Sequence, residues 1–257
     1  MAPVIVLSAI FLMILVIVFY KKQTKKITLP ANYKILLNKN VSYYRSLNQT
    51  NKIRFEEKIS DFLNYVRIEG VDTEVNDLDK LLVASSAIIP IFGFEKWTYY
   101  NLNNVLLYPD TFNKDEFLAG GYEKNTLGMV GNGPMQRMMI LSKPALHAGF
   151  TNGEHKENTG IHEFVHLLDK EDGDVDGLPE VLLNKKYNAQ WLQLVNESIN
   201  EIMEGHSDIN SYGASNKAEF FAVASEYFFN NPTLFKTNHP ALYKLMSQMF
   251  NQHPGED

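Results

Sequence analysis

Residues His162, Glu163, Phe164, Val165 and His166 spell H-E-x-x-H, and they set the strictest condition on any fold this chain can adopt. On a helix, side chains four residues apart share a face, so both imidazoles can reach a single ion. The surroundings are apolar. Gly160 and Ile161 precede the pentapeptide, Phe164 and Val165 lie inside it, and Leu167 and Leu168 follow. A helix that is hydrophobic nearly all round belongs in a core. Two histidines and a glutamate buried there are costly unless something satisfies them, and a metal ion does so. Zinc suits the arrangement, because it accepts neutral imidazole nitrogen and works in catalytic sites with three protein ligands and a water. Glu163 is then placed to take a proton from that zinc-activated water as general base. Gly173 and Gly177 supply a helix stop downstream. Asp169, almost one turn past His166, either orients a ligand imidazole or faces water, and both readings stand.

The rest of the composition narrows the chemistry. The 257 residues contain no cysteine, which removes disulfides, thiolate zinc sites and cysteine nucleophiles. A zinc site must therefore use histidine and carboxylate, and that favours a catalytic site, since closed structural sites usually include Cys. With 45% hydrophobic and 21% charged residues, the chain has ordinary globular composition and length for a real core.

The N-terminus differs from the rest. Residues 3–20 carry no charge over 18 positions, about 27 Å of helix at 1.5 Å per residue. A cleaved signal peptide would show a positive leading region and a small-residue cleavage site, and neither is present. Lys21, Lys22, Lys25 and Lys26 follow the apolar run, which by the positive-inside rule keeps the C-terminal side cytoplasmic. The expected organisation is a single-pass transmembrane anchor at 1–20, a basic linker at 21–28, and one catalytic domain at 29–257. Without those four lysines, 20 basic residues face 30 acidic ones, a balance of −10. Such a domain has no electrostatic reason to bind nucleic acid or anionic lipid.

Along the domain, 31–66 reads as helical, with Ile35, Leu36, Val41, Tyr44 and Leu47 on one apolar stripe. Ile53, Phe55, Ile59, Phe62, Leu63 and Val66 make a second, for which Asn51 is the candidate N-cap. A helix over 77–89 should end before Pro90. Runs 105–109 and 138–142 read as strands, and one of them could offer an edge to an extended peptide. Gly120, Gly121, Gly128, Gly131, Gly133 and Pro134 make the connection between them turn-rich. The Asp- and Gly-dense stretch 173–179 lacks the spacing of a calcium loop. Helices follow at 189–203, 214–229 and 240–250. The order is mixed, a helix-rich α+β fold with a small sheet.

A third ligand should come from downstream, where His206, Asp208, Glu219 and Glu226 are the candidates. Glu219 and Glu226 sit in an otherwise apolar stretch and need partners, because an unpaired buried charge costs several kcal/mol. Seven residues apart, they share a helix face. A site of three protein ligands needs only one of them, and Glu219 is preferred. Glu226 is left to accept from a ligand imidazole or to pair with a cation.

At this point the chain resembles the Mlc titration factor A family of zinc-dependent peptidases, whose catalytic core is similar to the metalloprotease domain of anthrax lethal factor. The resemblance spans roughly 28–252. It rests on Leu29 and Pro30, the apolar run before Pro90, Tyr108 and Pro109, the stretch 160–169, and above all 212–229. It implies a zincin-like fold and zinc. Ala218-Glu219-Phe220-Phe221-Ala222-Val223 matches the family segment that carries the third ligand, which implies Glu219. Tyr212 matches a tyrosine near the metal, implying a phenol that stabilises an oxyanion. Without the resemblance, Tyr212 would read as a buried aromatic. Two departures stand out: the apolar N-terminal segment, and Lys143, where the family has an aromatic at the end of the second strand. The expected function is zinc-dependent peptide hydrolysis, with His162, His166 and Glu219 as metal ligands and Glu163 and Tyr212 as catalytic residues. The expected partners are a peptide or protein substrate, a membrane through the N-terminal helix, and a transcriptional regulator, which no residue here identifies. The rival is a membrane-anchored, zinc-stabilised scaffold that captures a regulatory protein and has weak peptidase activity.

Overall fold

The computed structural model describes residues 28–110, 112–113, 125–126, 128–130, 137–151 and 156–256. The expected anchor at 1–20, most of the basic linker, and most of the glycine-rich connection lie outside those residues. Among the described residues, no helix is long and apolar enough to cross a membrane.

The expected helical stretch at 31–66 is three helices: α1 (Tyr33–Asn40), α2 (Ser42–Ser46) and α3 (Gln49–Tyr65). Val41 and Leu47 are extended and interrupt it. The side chain of Asn48, not Asn51, caps α3 by accepting from the Asn51 N–H at 2.9 Å, because a cap reaches the amide three residues on. The breaks also rotate Ile35 and Ile53 out of the stripe, leaving them 70% and 47% exposed.

Strand β1 (Arg67–Gly70) leads into α4 (Asp77–Ile91) and on to β2 (Asn104–Tyr108). This β-α-β unit pairs β1 and β2 in parallel. β1 escaped the sequence reading because it is mostly exposed and lacks an alternating apolar pattern. Asn76 and Asp79 close a reciprocal capping box at the start of α4. The helix includes Pro90 instead of ending before it. Proline costs little in a last turn whose carbonyls find partners elsewhere. The Gln252 side-chain amide donates to the Ile89 and Pro90 oxygens at 2.9 and 3.2 Å, and the Tyr99 hydroxyl to Ala87 O at 2.8 Å.

Two short strands, β3 (Phe112–Asn113) and β4 (Asn125–Thr126), form a separate antiparallel pair. β5 (Gly128–Val130) and β6 (Met138–Ser142) complete the main sheet in the order β1-β2-β6-β5, with β2 and β6 parallel and β5 antiparallel to β6. The two strands expected from the sequence are therefore both interior, and neither offers an edge. The edge beside the site is β5. Ser142 ends β6 by capping α5 (Lys143–Ala148). Lys143 pairs with the buried Asp79 carboxylate at 2.9 Å.

The remaining helices are α6 (Thr159–Asp169), α7 (Asn188–Met203), α8 (Lys217–Asn230), α9 (Pro232–Asn238) and α10 (Pro240–Phe250). The expected helix at 214–229 is a 3-10 turn, Ser211–Ala214, and then α8, separated by the Asn216 cap. α6 lies between α4 and α8 and also touches β5 and β6. Gly160 makes the α4 contact possible, since a Cβ there would stand 2.1 Å from Ser86 Oγ. Phe164 packs against Phe62 and Tyr99 on one side of the site helix, while Phe220, Phe221, Phe228 and Phe250 are buried around α8. Each such ring contributes about 1.5–3 kcal/mol by leaving water. The site helix is thus held rigidly from three sides.

Candidate metal centre

α6 starts at Asn158, whose side chain accepts from the Ile161 N–H at 3.0 Å and donates to Gly149 O at 2.9 Å. From that fixed start the helix presents His162, Glu163 and His166. α8 lies across it and presents Glu219 in its first turn and Glu226 two turns later. The imidazole Nε2 atoms of His162 and His166 are 3.1 Å apart, and Glu219 Oε2 lies 3.0 and 3.4 Å from them. One ligand atom from each of the three residues falls within 4.8 Å of the others. Ligands about 2.0–2.1 Å from a tetrahedral ion are separated by about 3.3–3.4 Å, so the donor set and its spacing fit zinc.

The electrostatics agree. Glu163, Glu219 and Glu226 set three carboxylates against two imidazoles in a buried place, an imbalance that a divalent cation offsets. Burial disfavours a charged His162, but its hydrogen bonds to Glu219 and Glu226 outweigh burial and raise it well above the ordinary imidazole range. Burial likewise pushes Glu219 up, yet His162 and His166 hold it far below the usual carboxylate range.

Glu226 does not join the three ligands. Its Oε1 accepts from His162 Nδ1 at 2.7 Å, and its Oε2 accepts from the Asn158 N–H. With a metal bound, that contact would keep the proton on His162 Nδ1 and leave its Nε2 lone pair toward Glu219 and His166. Of the two roles left open for Glu226, the structure places it at the imidazole. Asn158 escaped the sequence reading, although an Asn before Thr159 and an apolar helix is a cap signal. Asp169 does not face water. It is fully buried, accepts from the Gly177 N–H at 2.9 Å, and burial pushes its carboxyl up to about 6.

Glu163 lies on the β5 side of α6. A Cβ on Gly128 would stand 2.5 Å from Glu163 Oε1 and 2.5 Å from its Cγ, so only glycine lets the edge strand come this close. No sequence signal separated Gly128 from the other turn glycines around it. Tyr212, on the 3-10 turn, stands 6.0 Å from His162 between ring centroids and is 49% exposed, not a buried aromatic. Partial burial and then the Glu219 charge push its hydroxyl up to about 12.

His206 and Asp208 lie elsewhere. His206 is exposed beside Glu204. Asp208 accepts from Lys156 Nζ, the Tyr227 hydroxyl, Asn238 Nδ2 and His239 Nε2 at 2.6–2.9 Å. It thereby joins the strap before α6 to α8 and to the α9–α10 junction.

A family model described as glucose-regulated metallo-peptidase M90 matches residues 18–251. Among curated relatives, an uncharacterized protein of Synechocystis sp. is 26% identical over 246 residues, covering 91% of this chain and 88% of its own length. Mlc titration factor A of Salmonella arizonae is 29% identical over 219 residues, covering 81% of this chain and 85% of its own. The protein of that name from Escherichia fergusonii is 28% identical over 217 residues, with 80% of each chain covered.

Burial alone would raise Asp208, but its four donors hold the carboxyl far below the usual range. A folded-state pKa below the unfolded one stabilises at pH values above the unfolded pKa of about 3.9, and that stability is lost as pH falls. Asp208→Asn should therefore unfold at lower denaturant concentration than the parent at pH 7. Followed by chemical denaturation down a pH series, the difference should shrink once pH drops below about 4.

Proposed function

This chain belongs to the glucose-regulated metallo-peptidase M90 family, and on that premise we propose that it is a zinc-dependent metallopeptidase hydrolysing peptide bonds at the centre just described. The carrying observation is the convergence of His162, His166 and Glu219 beside Glu163, which is only 5% exposed. His162, His166 and Glu219 would hold a zinc ion, which would supply Lewis acidity at this site. Glu163 takes the proton of the attacking water and passes it to the leaving amine. Tyr212 stays protonated across the neutral range, so its O–H can donate to the developing oxyanion. Among the described residues nothing pairs with the outer edge of β5. That edge suits an extended peptide, which adds to a sheet by main-chain hydrogen bonds.

The name shared by two relatives, Mlc titration factor A, favours a second reading. In it the domain captures a transcriptional regulator and the metal chiefly stabilises the fold. A scaffold's phenotype survives loss of Glu163, whereas a peptidase's does not. The membrane anchor and a cytoplasmic catalytic domain belong to the proposal as well, on the strength of the uncharged 3–20 run and the lysines after it.

Three measurements test these readings. Cleavage of short chromogenic peptides should stop with a chelator, return with zinc, and fall by about 10²–10⁴-fold in Glu163→Gln at unchanged metal content. Equal activity in that variant would end the peptidase reading. Gly128→Ala, which pushes a methyl into the Glu163 carboxylate, should lower kcat by on the order of 10²-fold without loss of metal. A C-terminal reporter that works only in the cytoplasm should be active in the full chain; an exported reporter would reverse the orientation.

A further inference from the structure

His162 has a carboxylate behind it; among the described residues His166, on the same helix, has none. His166 Nε2 faces His162 and Glu219, while its Nδ1 is buried and has no hydrogen-bond partner among the described residues. Asp169, at the end of α6, shows the complementary deficit. Its Oδ2 accepts from Gly177, and its Oδ1 is buried and has no partner among the described residues. Residues three apart on a helix are surface neighbours. An imidazole that binds a metal through Nε2 carries its proton on Nδ1, and that proton needs an acceptor.

We propose that Asp169 is the positioning residue for His166: in the metal-loaded protein, His166 Nδ1–H donates to Asp169 Oδ1, directly or across one water. The proposal rests on the metal reading above and extends it. Each imidazole then has its own carboxylate, Glu226 from α8 for His162 and Asp169 from α6 for His166.

Asp169 also ties His166 to a loop. Gly177 has φ +78°, and a Cβ on it would lie 2.3 Å from Lys217 O, so the loop sits directly on the first residue of α8. Trp191 Nε1 donates to Gly177 O at 2.7 Å and holds it there. Lys217 precedes Glu219 by two residues. Asp169, three residues past His166 on α6, is therefore hydrogen-bonded to the loop that rests on the segment presenting Glu219. An asparagine at 169 cannot do both jobs. Its one carbonyl oxygen can face Gly177 or His166, and its amide then opposes the other N–H.

The test is competition for zinc against a chelator, with the full chain and two variants, Asp169→Asn and Asp172→Asn. Asp172 accepts from the Asp174 and Glu180 N–H groups, so its variant loosens the same loop without touching His166. Asp169→Asn should bind zinc roughly 10–100-fold more weakly, and Asp172→Asn within about twofold of the parent. With cobalt(II) in place of zinc, the visible absorption of Asp169→Asn should shift. Parent-like zinc affinity in Asp169→Asn, or equal losses in both variants, would overturn the proposal. A parent chain that takes up no zinc overturns the metal reading as well; a parent that binds beside an unaffected Asp169→Asn overturns only this one. Should Asp169→Asn fail to fold, NMR of the zinc-loaded parent decides. A slowly exchanging, hydrogen-bonded proton on His166 Nδ1 supports the proposal, and a rapidly exchanging one defeats it.

Discussion

The structure depends on compensating charge inside the α6–α8 contact. His162 lies between Glu219 Oε2 at 3.0 Å and Glu226 Oε1 at 2.7 Å, in the apolar centre of the molecule. Neither helix could be buried alone, since each would carry polar groups into the core with nothing to satisfy them. Packed together, they meet each other's needs: the imidazoles of α6 face the Glu219 and Glu226 carboxylates of α8. The aromatic rings around α8 supply the hydrophobic part of the association.

Everything else keeps those two helices in place. α4, capped at its start by Asn76 and Asp79 and at its end by Gln252, forms the floor on which Gly160 lets α6 settle. β5 closes the opposite side and touches Glu163 through Gly128. Asp208 gathers four donors and fastens the strap before α6 to the far end of α8. These supports are polar and local, while the bulk of the stability comes from aromatic and aliphatic burial, and the two kinds of interaction do not compete for the same residues.

Much of the metal centre was legible in the chain because its information is local. The spacing of His162, Glu163 and His166 is a property of one helix, and Glu219 was flagged by its own unfavourable surroundings in an apolar run. Helices at 188–203 and 240–250 and the strands at 104–108 and 138–142 were legible for the same reason, since periodicity survives without neighbours. The errors came where a distant residue changes the local balance. Gln252 and Tyr99 let α4 run through Pro90. β1 forms only because β2 lies beside it, and the two expected strands, one of which could have offered an edge, are both interior because β1 and β5 flank them.

The sequence by itself determined the chemistry available: two imidazoles and a carboxylate base on one helical face, no thiols, and a short list of carboxylates to complete the set. That follows because side-chain identity and helical spacing need no other part of the molecule. Only the tertiary structure decided where each carboxylate sits: Glu219 against both imidazole Nε2 atoms, Glu226 against His162 Nδ1. Glu219 and Glu226 share a face and a composition, and they differ only in how far along α8 the crossing with α6 falls. The same crossing put Asp169 out of reach of water and Tyr212 at the open side of the site. It also made Gly128, one glycine among many, the residue against which Glu163 rests.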